Sequence, residues 1–167
     1  MVELRVLDRA TAGDAVDAVF DGLSPRSRYL RFHAPVPRLT ATMRERLADV
    51  DGRDRAALVA RSGRRAIGIA RLSATGGGSA ELAVAVVDRW QRRGVGTRLI
   101  TALGELAVRL RHTELHATVL PENLAVLSLA RRAFSGVLLT AEEDAITLRY
   151  SLEPTLTHEE LVAALRW

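Results

Sequence analysis

The order of elements written in the sequence predicts one mixed α and β domain, of the α+β class. Hydrophobic period carries that reading, because it switches along the chain between the helical 3.6 and the strand value of 2. The order is strand, two helices, three strands, helix, strand, helix, two strands and an appended helix. A second observation is the segment from Ala80 to Val87, AELAVAVV, apolar on both faces but for Glu81, which places it at the centre of a sheet. The third is length: 167 residues with no internal repeat and no dividing linker make one domain able to bury a sizeable core.

Val2 to Leu7 reads as the first strand, and Thr11 then caps a helix with Val16, Val19, Phe20 and Leu23 on its apolar stripe and Gly22 as its stop. Pro25, Pro35 and Pro37 interrupt the next stretch, which becomes a short helix and a loop. From Thr40 a further helix carries Met43, Leu47 and Val50 on one face. Residues 56–61 and 65–73 read as two strands joined by a tight turn at Ser62, Gly63 and Arg64. Gly76, Gly77 and Gly78 make a flexible connection to the central strand. A long helix follows, with Val95, Leu99, Ala102, Leu103, Leu106 and Leu110 on one stripe and Arg98, Thr101, Glu105 and Arg109 opposite. Residues 114–120 form another strand, Asn123 caps a helix over 124–134, and residues 137–140 and 145–152 make a closing hairpin pair. Beyond Pro154, Thr157 and Glu160 have capping-box spacing ahead of an amphipathic helix ending at Trp167. The expected division is a domain over 1–153 and an appended helix over 154–167.

Composition closes several classes of chemistry. The chain has no cysteine, which excludes disulfides, thiolate nucleophiles and zinc sites built on CxxC. All 24 residues counted as Lys+Arg are arginines, so the GK[ST] phosphate loop and lysine Schiff-base chemistry are absent. The 48% apolar and 26% charged residues, the lack of a long apolar run and an N-terminus without a signal-peptide core lead us to expect a cytoplasmic protein with no membrane partner. The net charge of +4 and pI of about 10.8 favour an anionic partner. With 4% aromatic residues and acidic side chains interleaved among the arginines, a small phosphorylated ligand is expected and nucleic acid is not.

The informative segment is Gln91-Arg92-Arg93-Gly94-Val95-Gly96-Thr97, between the central strand and the long helix. Unbonded amides at a helix start, the positive end of the helix dipole and glycines that admit close approach make an anion site suited to a pyrophosphate. The competing reading is a plain strand-to-helix turn beside solvated arginines. A dinucleotide fold is rejected: GxGxxG requires glycine where Leu99 stands, and no acidic ribose ligand lies at the required distance.

AELAVAVV followed by Gln91-x-x-Gly94-x-Gly96 resembles the acyl-CoA binding motif of the GNAT superfamily of N-acyltransferases, Q/R-x-x-G-x-G/A, and the element order matches from Val2 to Leu152. Leu23-Ser24-Pro25-Arg26-Ser27-Arg28-Tyr29-Leu30-Arg31-Phe32 and the AE-x-AV opening of the central strand are similar to the acetyltransferase module of bacterial protein-lysine acetyltransferases. That module is often fused to a regulatory or ligase domain. The resemblance implies three layers, a central mixed sheet flanked by helices, and acetyl-CoA as cosubstrate. It also implies that the backbone amides of Arg92, Arg93, Gly94, Val95, Gly96 and Thr97 hold the pyrophosphate, in a turn opened by Gln91. The strand around Val86 and Val87 would pair with the pantetheine arm, and Asn123 would assist across a splay that opens after Ala80 and Glu114. Asn123 reads equally as a plain helix cap. Ser128 and Arg132 are further coenzyme candidates. Many family members carry a tyrosine seven residues after this asparagine as general acid; here Ala130 stands there, as the protein-acetyltransferase branch commonly allows.

Glu81 is the catalytic candidate. An amine arrives as ammonium, with a pKa of about 10.4 for lysine, and must lose a proton before it can attack a thioester. A carboxylate in an otherwise buried strand can accept it, directly or through water; the alternative is a buried pair with an arginine, and the branch resemblance favours the base. His112 and His116 have i, i+4 spacing, but one lies in a strand, and His33 and His158 sit among loop or surface signals, so no metal is expected. Leu161, Val162, Leu165 and Trp167 form a packing face that a homodimer could use. The reading is an N-acetyltransferase moving acetyl from acetyl-CoA to a primary amine, protein lysine or small molecule, by direct attack in a ternary complex. A non-catalytic acyl-CoA sensor or assembly module is the alternative.

Overall fold

Strand β1 (Val2–Val6) lies antiparallel to β2 (Arg55–Ser62), β2 to β3 (Arg65–Gly76), and β3 to β4 (Ser79–Val86). β4 then runs parallel to β5 (Glu114–Val119), and β7 (Ile146–Ser151) lies between β5 and β6 (Leu138–Ala141). The computed structural model describes residues 1–152, so the helix expected over 154–167 lies outside the described residues. β4 is the middle strand of seven, as its apolar sequence implies.

Alternation along the strands sorts the core into two layers. Ala57, Val59, Ile69 and Val87 pack with Ala12, Ala15, Val16 and Val19 of α1 (Arg9–Asp21). The same side carries α2 (Pro25–Phe32) and α3 (Ala41–Ala48), each with its N-cap hydroxyl, Ser24 or Thr40, accepting from the third residue on. Ala70, Leu72 and Leu82 point the other way, against Leu99, Leu103 and Ala107 of α4 (Val95–Arg109) and Leu127 and Ala130 of α5 (Leu124–Ala133). Leu99 and Leu103 are 0% exposed, and burying each contributes about 1.5–3 kcal/mol.

Four expectations are corrected. Asp8, not Thr11, caps α1: the Thr11 hydroxyl and amide both donate to Asp8 Oδ1, at 2.8 and 2.9 Å, and these bonds hold the Asp8 carboxyl below the usual range. Gly76 to Gly78 form no flexible connection. β3 continues to Gly76, which pairs with Ser79, and Gly77 and Gly78, at φ +59° and +81°, close a two-residue hairpin that a right-handed strand twist favours. The central strand stops at Val86; the Val87 amide still donates to Ile67 O at 2.9 Å, but the chain then turns into a 3-10 segment, Asp88–Trp90. Glu81 is exposed rather than buried. Strand composition cannot reveal that β5 stops pairing at this residue, which opens the middle of the sheet to solvent.

Candidate active site

β4 and β5 pair only at Ser79↔Glu114, Ala80↔Leu115 and Glu81↔His116, and diverge beyond. The Val87–Ile67 bond fixes which β4 residues face β3. By the antiparallel register Glu81, Ala83 and Ala85 direct their backbone groups to β3, and Leu82, Val84 and Val86 direct theirs to the side that β5 has left. An unpaired strand edge thus lies inside the sheet rather than at its rim. The divergence forms a cleft of about 320 Å3, lined by residues 30–32 of α2 and its C-cap His33, 81–84 of β4, 117–119 of β5, and Asn123 and Val126 at the start of α5.

At the C-terminal end of β4 the chain enters α4 through Gln91 to Gly94. Arg92 and Gly94 take left-handed conformations, φ +57° and +79°, which turn the chain sharply into the helix. The first α4 amide to find a backbone carbonyl is that of Arg98, bonded to Gly94 O at 3.0 Å, and among the described residues the amides from Arg92 to Thr97 have no backbone acceptor. Arg92 and Arg93 are exposed beside them, and Arg93 lies over the Trp90 ring at 5.4 Å. Gly96 faces the end of the splay: a Cβ there would stand 3.4 Å from Leu129 and 3.7 Å from Val86 Cγ2.

Gln91 has a different part. Its Nε2 donates to Val86 O at 3.0 Å and to Ser27 Oγ at 3.3 Å, while Asp88 Oδ1 accepts from the Ser24 amide at 3.1 Å. These bonds tie the start of α2 to the end of β4. Val87 is withdrawn from the cleft: its amide goes to Ile67, its carbonyl accepts from Trp90 at 2.8 Å, and its side chain, 6% exposed, meets α1. It also explains Gly22, where a Cβ would come within 2.6 Å of the Val87 methyls.

Asn123 is buried and lines the cleft; its Oδ1 accepts from the Val126 amide at 3.3 Å, which leaves its NH2 free among the described residues. It therefore caps α5 and still presents a donor. Ser128 and Arg132 are exposed on α5, with Arg132 Nε 3.5 Å from Ser128 O, and neither lines the cleft. Ala130 is 2% exposed and packs in the main core. Glu81 stands at the cleft wall with no hydrogen bond or ion pair among the described residues.

The periodic pattern gave no sign that Arg31, Phe32 and His33 form the opposite wall. α2 is short and polar, and its cleft face follows from where Ser24 and Ser27 anchor it. The Arg31 guanidinium is pushed down to about 10, by burial first and then by the neighbouring charge of Arg71, with the Glu81 carboxylate acting in the opposite direction. Among the described residues no group of three or more His, Asp or Glu is placed to hold a metal, and no helix is long and apolar enough to cross a membrane.

A search of curated proteins finds no match. Among solved structures, the GNAT domain of S. lividans PAT is similar at 27% identity over 90% of each chain, with a TM-score of 0.83. A cAMP-binding acyltransferase from Mycobacterium smegmatis is 28% identical over 84% of this chain and 45% of its own, TM-score 0.57. Spermidine N-acetyltransferase from Vibrio cholerae, in complex with CoA and spermine, shares the fold at 17% identity over 90% of this chain and 95% of its own, TM-score 0.70. The model of the Acetyltransferase (GNAT) family matches residues 18–134. That span runs from α1 to the end of α5 and contains the splayed strands and the unbonded helix start, and on this match the chain belongs to the GNAT acetyltransferase family.

Proposed function

We propose that this enzyme transfers an acetyl group from acetyl-CoA to a primary amine, small molecule or protein lysine, by direct attack within a ternary complex. The observation that carries the reading is the continuity of three features: six unbonded amides at the start of α4, the unpaired β4 edge, and Glu81 at the far end of that edge. The residues fit the coenzyme. Amides from Arg92 to Thr97, with Arg92 and Arg93 beside them, suit a pyrophosphate. The free backbone groups of Leu82 and Val84 and the Val86 amide suit the amide-rich pantetheine arm as an added strand. The Asn123 NH2 offers a donor from the other wall. Acetyl-CoA supplies the thioester.

Glu81 takes the proton from the incoming ammonium, directly or through one water, and the freed amine attacks the acetyl carbonyl. As the C–S bond breaks, coenzyme A leaves as a thiolate, and the second proton that the attacking nitrogen sheds passes to that thiolate; with a thiol pKa of about 8.5 the thiolate leaves without a strong acid. That is consistent with Ala130, which carries no proton donor. Residues 1–153 are proposed to suffice for this chemistry, so ending the chain after Pro154 should leave acetyl-CoA binding intact. The primary test is thiol release from acetyl-CoA over a panel of amines and lysine peptides, alongside the shift in melting temperature that acetyl-CoA produces. Turnover with at least one amine supports the reading. Coenzyme binding with no turnover would favour the non-catalytic sensor that Ala130 keeps in play, and absence of coenzyme binding would remove both.

A further inference from the structure

Two partly buried arginines have carboxylate partners among the described residues: Arg44 meets Asp17 at 2.8 Å, and Arg55 meets Asp49 and Asp51, each at 2.9 Å. Arg31 and Arg71 form no such ion pair among the described residues, although the charge of Glu81 acts on Arg31 and that of Asp49 on Arg71. Among the described residues Arg31 makes no hydrogen bond and no ion pair, resting only over the Phe32 ring at 4.9 Å, and Arg71 donates once, to Arg46 O at 3.2 Å. Burial lowers the pKa of both, although each residue keeps part of its surface open to solvent. A partly shielded guanidinium with unused donors is available to an anion, and its planar fork matches a carboxylate.

Their position relative to Glu81 is fixed by the sheet. Arg71 is paired with Ala83 and Ser73 with Glu81, so Glu81, Ala83 and Arg71 share one face, with Arg71 a diagonal step of about 7–8 Å from Glu81. Arg31 lies across from them on α2. It lines both the main cleft and a smaller adjoining cavity of about 40 Å3, and Arg71 and Ala83 line that cavity too. The small side chains of Ala83 and Ala85 leave this space open. The pantetheine-facing edge belongs to Leu82, Val84 and Val86, whereas the proton acceptor Glu81 points to the Arg71 face. An amine that reaches Glu81 therefore extends its remaining atoms toward the two guanidinium groups.

Resting on the acetyl-transfer reading, we propose that the acceptor is a small amine carrying a carboxylate a few bonds from its nitrogen, and that Arg31 and Arg71 bind that carboxylate while Glu81 takes the ammonium proton. The two ends of such a molecule are read by groups of opposite charge, Glu81 and Arg71 on one sheet face and Arg31 facing them from α2, which orients the nitrogen toward the thioester.

The test uses the full chain with acetyl-CoA and a length series: glycine, β-alanine, 4-aminobutyrate and 6-aminohexanoate, each beside its carboxamide. One or more acids should be used with a kcat/KM roughly 10- to 100-fold above the matching amide, the range of one charge-assisted pair. In R31Q and R71Q that ratio should fall toward one through KM, while melting temperature and acetyl-CoA affinity stay near parental; R31K should restore part of it. A structural role for Arg31 would lower stability and affect acid and amide alike. Equal use of acids and amides, a preference for lysine peptides over every acid, or a ratio unmoved in folded R31Q and R71Q would overturn the proposal while leaving acetyl transfer standing. An Arg31-dependent preference for succinyl-CoA over acetyl-CoA with the amides would assign the carboxylate to the donor and equally overturn it. Failure to bind acetyl-CoA would remove both readings together.

Discussion

Replacing Glu81 by Gln keeps the shape of the side chain and removes its ability to accept a proton. Near neutral pH an amine of pKa about 10.4 is unprotonated in only about one molecule in a thousand, so a base that removes the proton on the enzyme is worth up to about 10³ in rate. Because Glu81 is exposed and has no hydrogen bond or ion pair among the described residues, the substitution should change stability by no more than about 0.5 kcal/mol. The expected result is a loss of roughly 10² to 10³ in kcat with acetyl-CoA affinity and melting temperature near parental. The deficit should also depend on pH in a particular way. The parent draws on the abundant ammonium form and the variant only on the free amine, so each pH unit gained narrows the gap about tenfold, about a hundredfold between pH 7 and pH 9. The assay is thiol release from acetyl-CoA with one uncharged alkyl amine, run on both proteins across that range after circular dichroism confirms folding. Near-parental turnover in folded E81Q, or a deficit that stays constant as pH rises, would refute the assignment.

Gly96→Glu should abolish the acetyl-CoA-induced rise in melting temperature, since the new carboxylate would stand where the unbonded α4 amides hold phosphate; in the parent, coenzyme at 100 times its Kd should add about 2.7 kcal/mol, read by thermal denaturation. Burial pushes the Asp88 carboxyl up, but its bonds from Ser24 and Ser27 together outweigh this and leave it below its ordinary value of 3.8. A depressed folded pKa stabilises above the ordinary value and loses that gain as pH falls through the folded one, so the melting-temperature difference between parent and Asp88→Asn should be full at neutral pH and vanish in strong acid. Gly68→Ala should destabilise by about 1–3 kcal/mol in urea denaturation, because its Cβ would lie 2.9 Å from Leu99 Cδ1 and 3.2 Å from the Ala85 carbonyl, and the latter cannot give way.

Much of this protein is legible in residue order. The stripe Val95, Leu99, Ala102, Leu103, Leu106 and Leu110 required a helix with one buried face; four of the six are buried, and Ala102 and Leu110 pack partly buried against that core. The spacing Gln91-x-x-Gly94-x-Gly96 after an apolar strand located the helix start with its free amides, since chain reversal and close approach are local properties of glycine. Asn123 was placed as a cap by the same kind of local rule.

What sequence could not supply depends on how far one strand follows another. Periodicity assigns a face to each side chain but does not say that β5 leaves β4 after Glu81, and that divergence turned an expected buried carboxylate into an exposed one and freed the edge at Val84. Gln91 and Val87 were read with the coenzyme contacts, yet Gln91 bonds Val86 and Ser27, and Val87 fills the space beside Gly22. Arg31 and Arg71 are 40 residues apart in a chain with 24 arginines; Arg31 lies in the segment that resembles the acetyltransferase module, but nothing local pairs it with Arg71. Their juxtaposition comes from the antiparallel register of β3 on β4 and from α2 anchored by Ser24 and Ser27, contacts between distant segments that local periodicity does not encode.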